Sequence, residues 1–330
     1  MASSTDLILF ALDASRNFGE AVACHIGRSL AAHEERDFDG GEHKTRPLVE
    51  VAGRSVFVIQ NLDGDTRQSA NDKLIRLLFF AGTLKDAGAA RVTAVTPYLA
   101  YSRKDRRTKP RDPVSSRYVA TLFEAMRIDC VLTCEVHNLS AFENAFRSCR
   151  PEHVSTAELF ADHFAGQLGD EPIAVVSPDS GGDRRAELFR KLLEKRIGRS
   201  VGKAVLEKHR SMGIVSGTLF AGDVGGRTAI IIDDLISSGT TIIRAAQACR
   251  DAGATRVIAA ATHGLFTGGA PALFGPEGPD EVIVTNILPV IGLPGRAAAK
   301  LKVVSVAGLV GDVIACLHAG GAVVDLLPYD

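Results

Sequence analysis

The chain lacks any excess of charge of one sign: 38 Lys and Arg stand against 39 Asp and Glu, for a formal net of -1. No global field therefore draws it to nucleic acid or to an anionic membrane, and any anion it binds must be met by a local site. It also lacks paired cysteines. Its six cysteines (Cys24, Cys130, Cys134, Cys149, Cys249, Cys316) form no CxxC pair and no Cys/His cluster at zinc spacing, which reads as reduced thiols acting as small core residues in a cytoplasmic protein. A bilayer-spanning run and a low-complexity segment are missing too. The opening stretch "MASSTDLILFALDASRNF" has no basic region before its short apolar run, and Asp13 and Arg16 interrupt it. It reads as a buried first strand and not as a signal peptide.

What is present is a soluble, globular composition, 46% hydrophobic and 23% charged over 330 residues. That length accommodates two domains, at ~100 to 200 residues each. Short apolar runs alternate with segments of helical spacing. Val56–Gln60, Val92–Thr96, Cys130–Cys134, Ile173–Val176, Ala229–Ile232 and Val257–Ala261 read as buried strands, while Leu74, Leu77, Leu78 and Leu84 fall on one helical face. Such alternation predicts an α/β architecture of mostly parallel sheets flanked by helices. An internal repeat, "KDAGAARVTAV" at Lys85–Val95 and "RDAGATRVIAA" at Arg250–Ala260, implies one fold used twice. We expect a boundary between residues 153 and 154, giving domains 1–153 and 154–330.

The two halves differ after the strand that precedes each repeat. The C-terminal half carries "IIIDDLISSGTT" (Ile230–Thr241), where the N-terminal half carries "NLDGDTRQSANDK". A strand that runs into a hydroxyl-rich loop and then a helix presents unpaired N–H groups and the positive end of a dipole to a phosphate. Ser237, Ser238, Thr240 and Thr241 add hydroxyls, Gly239 admits close approach, and Asp233 and Asp234 can accept from vicinal sugar hydroxyls or meet a cation. This predicts a cradle for a phosphorylated sugar, present in one half only.

The cradle resembles the 5-phosphoribosyl 1-diphosphate (PRPP) loop shared by type I phosphoribosyltransferases and ribose-phosphate pyrophosphokinase (PRPP synthetase). Further stretches, in order along nearly the whole chain, resemble the synthetase: "FDGGE", "TPYLAYSRKDRR" (Thr96–Arg107), "VLTCEVHN", "VVSPDSGGDRRA", "LEKHR" and "LKVVSVAGLVGDVI". The resemblance implies two tandem phosphoribosyltransferase-like domains and transfer of a diphosphoryl group from ATP to O1 of ribose 5-phosphate, yielding PRPP and AMP for nucleotide biosynthesis.

It further implies roles for single residues. Lys208 and Arg210 would stabilise the transferring group and His137 would approach the β- and γ-phosphates. Phe38, Gly40, Glu42, Arg103 and Asp105 would hold ATP, which binds between the domains and a neighbouring subunit. His137 and Asp179 would hold Mg2+. Dimers assembling to a hexamer are implied, with no nucleic-acid or membrane partner, since no aromatic interleaving accompanies the basic stretch Arg103–Arg111. Four positions depart from the common pattern: Ser237 and Arg147 replace acids, Glu135 an aspartate and His209 an arginine. A PRPP-consuming transferase and a non-catalytic regulatory paralogue are the alternatives. The second, cradle-less half and the adenine loop disfavour the first, and the retained Lys208, Arg210 and Asp179 disfavour the second.

Overall fold

The computed structural model describes residues 7–211, 214–293 and 295–326; the side chains of residues 207–219, Arg296 and Asp325 lie outside that description. Two compact units are present. The first runs to Ser155 and takes back the chain from Ala307 onward, and the second is Thr156–Val306.

In the first unit the elements are β1 (Leu7–Ala11), α1 (Arg16–His25), β2 (His33–Asp37), β3 (His43–Pro47), β4 (Ser55–Ile59), α2 (Ala70–Asp86), β5 (Arg91–Val95), α3 (Ser115–Ala125), β6 (Cys130–Cys134), α4 (Leu139–Glu143) and β7 (Arg150–Val154). A five-stranded parallel sheet has the order β1-β4-β5-β6-β7, and β2 and β3 pair antiparallel as a separate sheet. The apolar runs predicted as strands are buried because helices cover them: Leu74, Leu77, Leu78 and Leu84 of α2 pack in one core with Val56, Val58, Val92 and Val131.

The second unit holds α5 (Ala157–Ala165), β8 (Ile173–Ser177), α6 (Asp183–Ile197), β9 (Gly202–Ser211), β10 (Ile214–Gly222), β11 (Thr228–Ile236), α7 (Thr240–Asp251), β12 (Arg256–Gly264), β13 (Glu281–Thr285) and β14 (Leu301–Val304). Its seven strands lie in the order β10-β9-β8-β11-β12-β13-β14, parallel except for the β9–β10 hairpin. Two apolar cores, one containing Leu206, Ile231 and Val257 and the other Phe160, Phe189 and Ile230, belong to this unit.

The division differs from a single cut after residue 153. That cut would split β7, which pairs with β6 along its whole length. It would also assign α8 (Ala307–His318) to the second unit, whereas α8 packs on α1 of the first. Gly308 and Gly311 face the His25 ring, which is bonded to Asp312 at 2.8 Å.

The repeat is reproduced bond for bond. Gly88 and Gly253 follow α2 and α7 with φ of 85° and 87°, the left-handed conformation that closes a helix end. Their N–H groups donate to Lys85 O and Arg250 O at 3.0 and 2.9 Å. Asp129 then accepts from Val92 N–H and Asp280 from Val257 N–H, both at 2.7 Å. The same carboxylates pair with the repeat's first residue, Lys85 at 2.5 Å and Arg250 at 3.1 Å. Each repeat thus ties a helix C-terminus to the start of the next strand through one aspartate. Cysteine burial follows the sequence reading: Cys130, Cys134, Cys149 and Cys249 are buried, and burial pushes the Cys130 and Cys249 thiols up to about 12. Among the described residues no helix is long and apolar enough to cross a membrane.

Candidate functional site

Strand β11 lies between β8 and β12 in the second unit, so its C-terminal end opens where the two flanking crossovers part. The strand extends further than its apolar run, to Ile236, so Asp233 and Asp234 sit inside it and not beyond it. Parallel pairing of Asp233 with Ala261 and of Leu235 with His263 carries the doublet forward. Asp234 is buried, and its N–H donates to Asp233 Oδ1 at 2.9 Å. Burial, and then the adjoining Asp234 carboxylate, push the Asp233 carboxyl well above the usual range, while the Arg185 guanidinium draws it back in part.

Past β11 the chain turns through Ser237 and Ser238 to Gly239, which has φ of 79° and caps α7. A Cβ there would stand 3.1 Å from Leu273 Cβ, so both conformation and space call for glycine. No side chain caps this helix, which leaves its first-turn N–H groups directed at the loop. Ser237 and Thr267 hydroxyls share a hydrogen bond of 2.8 Å, and Ser238 and Thr240 hydroxyls one of 3.1 Å. Thr267 N–H donates to Ser237 O at 3.1 Å, making residues after β12 the second wall. Asp233, Asp234, Ser237, Ser238, Gly239, Thr240 and Thr241 therefore follow one another from strand end through loop to helix start, bringing acids, hydroxyls and an open helix N-terminus together.

The neighbouring strand β8 ends in a second such turn. Asp179 Oδ1 accepts from Gly181 N–H at 2.9 Å and Gly182 N–H at 3.1 Å, and Ser177 Oγ donates to Asp179 O at 2.6 Å. Two backbone donors orient this carboxylate, a hard oxygen donor of the kind magnesium prefers. Arg185, early in α6, joins the two strand ends. Its Nη1 is 3.6 Å from Asp234 Oδ1 and 3.8 Å from Asp233 Oδ1, and the side chain is 14% exposed. Nothing in the charge pattern singled out Arg185 from the adjoining Arg184; the signal was its position within "VVSPDSGGDRRA".

Where the second unit has its cradle, the first unit has a filled loop. Lys73 of α2 is buried, with its Nζ 3.1 Å from Asp63 and 2.9 Å from Asp65. Carboxylates of the chain itself, fixed by Arg67 and Gln68 N–H groups on Asp65, occupy the position after β4 that hydroxyls line after β11. An anion cannot be accepted there without displacing them.

The other expected residues of the first unit lie on three connections. Phe38, Gly40 and Glu42 form the exposed β2–β3 connection, closed by Phe38 N–H to Glu42 O at 2.8 Å, with Arg36 Cζ 5.1 Å from the Phe38 ring centre. Arg103 is exposed and Asp105 half-buried on the loop after β5. Asp112 organises that loop, accepting from Lys104 Nζ and Thr108 Oγ1, both at 2.7 Å, and from two backbone N–H groups. Those bonds hold the Asp112 carboxyl far below the usual range. His137 is exposed after β6, next to Asn138, whose Nδ2 donates to Asp105 Oδ2 at 2.7 Å. His137 and Asp179 belong to different units.

Of the departures, Glu135 has φ of 42° and accepts from Ser155 Oγ at 3.3 Å. Arg147 donates to the carbonyls of Asn144 and Phe146 at 2.8 and 3.0 Å, a local structural role. Lys208 and Arg210 are in β9, where their backbones pair with Thr218 and Val215, and their side chains lie outside the described residues. One further group, Asp13, His33 and Glu35, brings metal-ligating atoms within 4.8 Å of one another. Arg16 and Arg76 already compensate its carboxylates, which makes it a hydrogen-bonded latch.

Comparison with known proteins covers nearly the whole chain. Residues 7–126 match the N-terminal domain of ribose phosphate pyrophosphokinase, and residues 209–327 match the phosphoribosyl synthetase-associated domain. Ribose-phosphate pyrophosphokinase 1 of Streptococcus pneumoniae serotype 4 is 34% identical over 322 residues, covering 96% of this chain and 95% of the relative. The ribose-phosphate pyrophosphokinase of Chromobacterium violaceum is 34% identical over 316 residues, with 95% and 92% covered. The crystal structure of phosphoribosylpyrophosphate synthetase from Mycobacterium smegmatis superposes with a TM-score of 0.84 at 32% identity, over 96% of this chain and 100% of that one. This chain has the matching α/β fold, two tandem phosphoribosyltransferase-like domains of mostly parallel, helix-flanked sheets. With the sequence signatures at both ends of the chain and full-length relatives in agreement, the chain belongs to the ribose-phosphate pyrophosphokinase family.

Proposed function

We propose that the protein transfers the β,γ-diphosphoryl group of Mg-ATP to O1 of ribose 5-phosphate, releasing AMP and forming PRPP for nucleotide biosynthesis. The observation that carries this reading is the cradle: an uncapped helix N-terminus and four hydroxyl side chains directly after two strand-borne carboxylates. The 5-phosphate takes the N–H groups of α7 and the hydroxyls of Ser237, Ser238, Thr240 and Thr241. Asp233 and Asp234 accept from the sugar's vicinal hydroxyls and set the direction of O1. The O1–Pβ bond forms as the bond from Pβ to the oxygen of the AMP leaving group breaks, and the O1 proton passes to solvent.

Phosphoryl-type transfer asks the protein for position and positive charge more than for covalent chemistry. Lys208 and Arg210 supply charge to the group in transit. Phe38 stacks on adenine, Gly40 and Glu42 border its edge, and Arg103 and Asp105 hold the rest of the nucleotide. Asp179 in the second unit and His137 in the first are each residues that would hold magnesium, and a bound ion would supply charge to offset the phosphates. A cytoplasmic location suits the buried thiols of Cys130, Cys134, Cys149 and Cys249. Assembly of dimers into a hexamer suits the exposed Phe79, Tyr118 and Leu122 of the first unit.

The test is AMP and PRPP formation from ATP, ribose 5-phosphate and Mg2+, beside Lys208→Ala. AMP that appears only with ribose 5-phosphate, and a loss of at least ~100-fold in the variant, is the expected result for a transition-state charge contact. A wild-type protein that binds ribose 5-phosphate yet makes no AMP would turn the reading to a regulatory subunit.

A further inference from the structure

The β2–β3 hairpin that carries Phe38, Gly40 and Glu42 is a sheet of its own, so strand pairing with the five-stranded sheet does not fix it. Side chains of β2 do that work. Alternate residues of a strand face one side, and His33, Glu35 and Asp37 all meet elements of the first unit. The His33 ring sits against Phe10 and Phe80, with centroids at 6.1 and 5.7 Å. Glu35 Oε2 is 3.7 Å from Arg76 Nη1, and Asp37 Oδ1 accepts from Arg76 Nη2. On β3, His43 stacks on Phe79 of α2 at 5.6 Å with the ring planes 16° apart.

Arg76 reaches Asp37, the last residue of β2 before the loop. Its side chain is 10% exposed, Asp37 is 68% exposed, and Phe38 follows Asp37 directly. A guanidinium has a rigid fork of donors, so one that bridges two carboxylates on the same strand fixes that strand's direction as well as its distance. Within this hairpin the direction decides where the Phe38 ring points.

We infer that Arg76 is a positioning residue for the nucleotide: by bridging Glu35 and Asp37 it sets the Phe38–Glu42 loop against α2, so that adenine meets a pre-formed surface. This inference rests on the assignment of that loop to adenine under the proposed function. Arg76 touches no substrate. Without the bridge the loop must be ordered at the moment ATP binds, and the cost falls on ATP affinity and not on the chemical step.

The experiment is steady-state kinetics with each substrate varied, on Arg76→Met, Arg76→Lys, Asp37→Asn and Phe38→Ala. Asp37→Asn removes the negative charge at the exposed end of the bridge and leaves the buried Arg76–Glu35 pair in place, so it reports even if Arg76→Met does not fold. The expected result for Asp37→Asn and Arg76→Met is a KM for ATP raised at least ~5-fold, with kcat within about 2-fold and the KM for ribose 5-phosphate unchanged. Arg76→Lys, which reaches only one carboxylate, should recover part of the loss. A merely fold-stabilising pair would lower the melting temperature without this split. If Phe38→Ala raises the KM for ATP while Asp37→Asn and Arg76→Met leave it at the wild-type value, the adenine loop stands and the inference about Arg76 is overturned. An unchanged KM for ATP in Phe38→Ala overturns the adenine assignment itself, and the inference with it.

Discussion

Asn138 joins two loops of the first unit with one amide: its Nδ2 donates to Asp105 at 2.7 Å, while its Oδ1 accepts from Ala141 N–H at 3.2 Å and caps α4. The basic loop after β5 and the turn that bears His137 are thereby held to each other. Asn138→Ala should lose both bonds. A cap of this kind is worth about 1 kcal/mol, and urea unfolding should register that loss together with a several-fold rise in the KM for ATP.

Gly239→Ala tests the cradle. A methyl group there meets Leu273 and a left-handed backbone, at a cost of about 1–2 kcal/mol. The fold should survive, because the site is a loop at the end of a well-packed strand. Binding of ribose 5-phosphate, followed by calorimetry, should fall by at least ~10-fold, the effect of ~1.4 kcal/mol or more.

Asp233 makes a prediction about pH. Burial and Asp234 raise its carboxyl in the folded protein above the unfolded value, so the folded state binds more protons in the window between the ordinary carboxylate range and that raised value. Stability is present below that window and is lost as pH rises through it. Asp233→Asn removes the loss, and its melting temperature should exceed the wild type's at neutral pH by about 1 kcal/mol equivalent, the scale of one stabilising substitution. The advantage should vanish in acid. Ribose 5-phosphate binding should weaken in the same variant.

Arg185 acts on Asp233 in the opposite sense, favouring its ionised form. Arg185→Met should move the acid limb of ribose 5-phosphate binding to higher pH, and Arg185→Lys should move it less. A limb that stays in place in Arg185→Met would show that the guanidinium does not govern the doublet.

Lys73 lies between Asp63 and Asp65 with almost no solvent exposure. Lys73→Met would leave two acids facing each other without a cation, and breaking a buried pair costs about 3–5 kcal/mol. Denaturant unfolding of the variant should show a loss on that scale, carried by the first unit.

The strands legible in the sequence were short apolar runs, most of them interior, with β1 at an edge; β9 and β13, though interior, were not singled out. Cys130–Cys134 and Ile173–Val176 are buried throughout, as strands of a sheet covered by helices are. Strands β7 ("RPEHV") and β14 ("LKVV") are at sheet edges, and β2 ("HEERD") and β3 ("HKTRP") form the separate hairpin, so solvent permits charges that hide them from an apolar-run reading. The cradle was legible because strand, doublet, hydroxyl loop and helix are contiguous. Thr267, Leu273 and Arg76 were not, since each reaches its place through folding and nothing local marks it; Arg185 was marked only by its place in "VVSPDSGGDRRA". The destination of α8 was equally hidden, as it depends on glycines of α8 meeting His25, nearly 300 residues earlier.

That last contact sets an order of events during synthesis. A ribosome delivers β1 through β7 first, yet the surface of α1 that receives α8 must wait until the whole of Thr156–Val306 has emerged. The unit begun first is finished last. A chain cut off before Ala307 would carry a second unit with all its described strands and a first unit whose α1 face lacks its α8 cover, apolar surface of the kind that makes unfinished chains prone to aggregate.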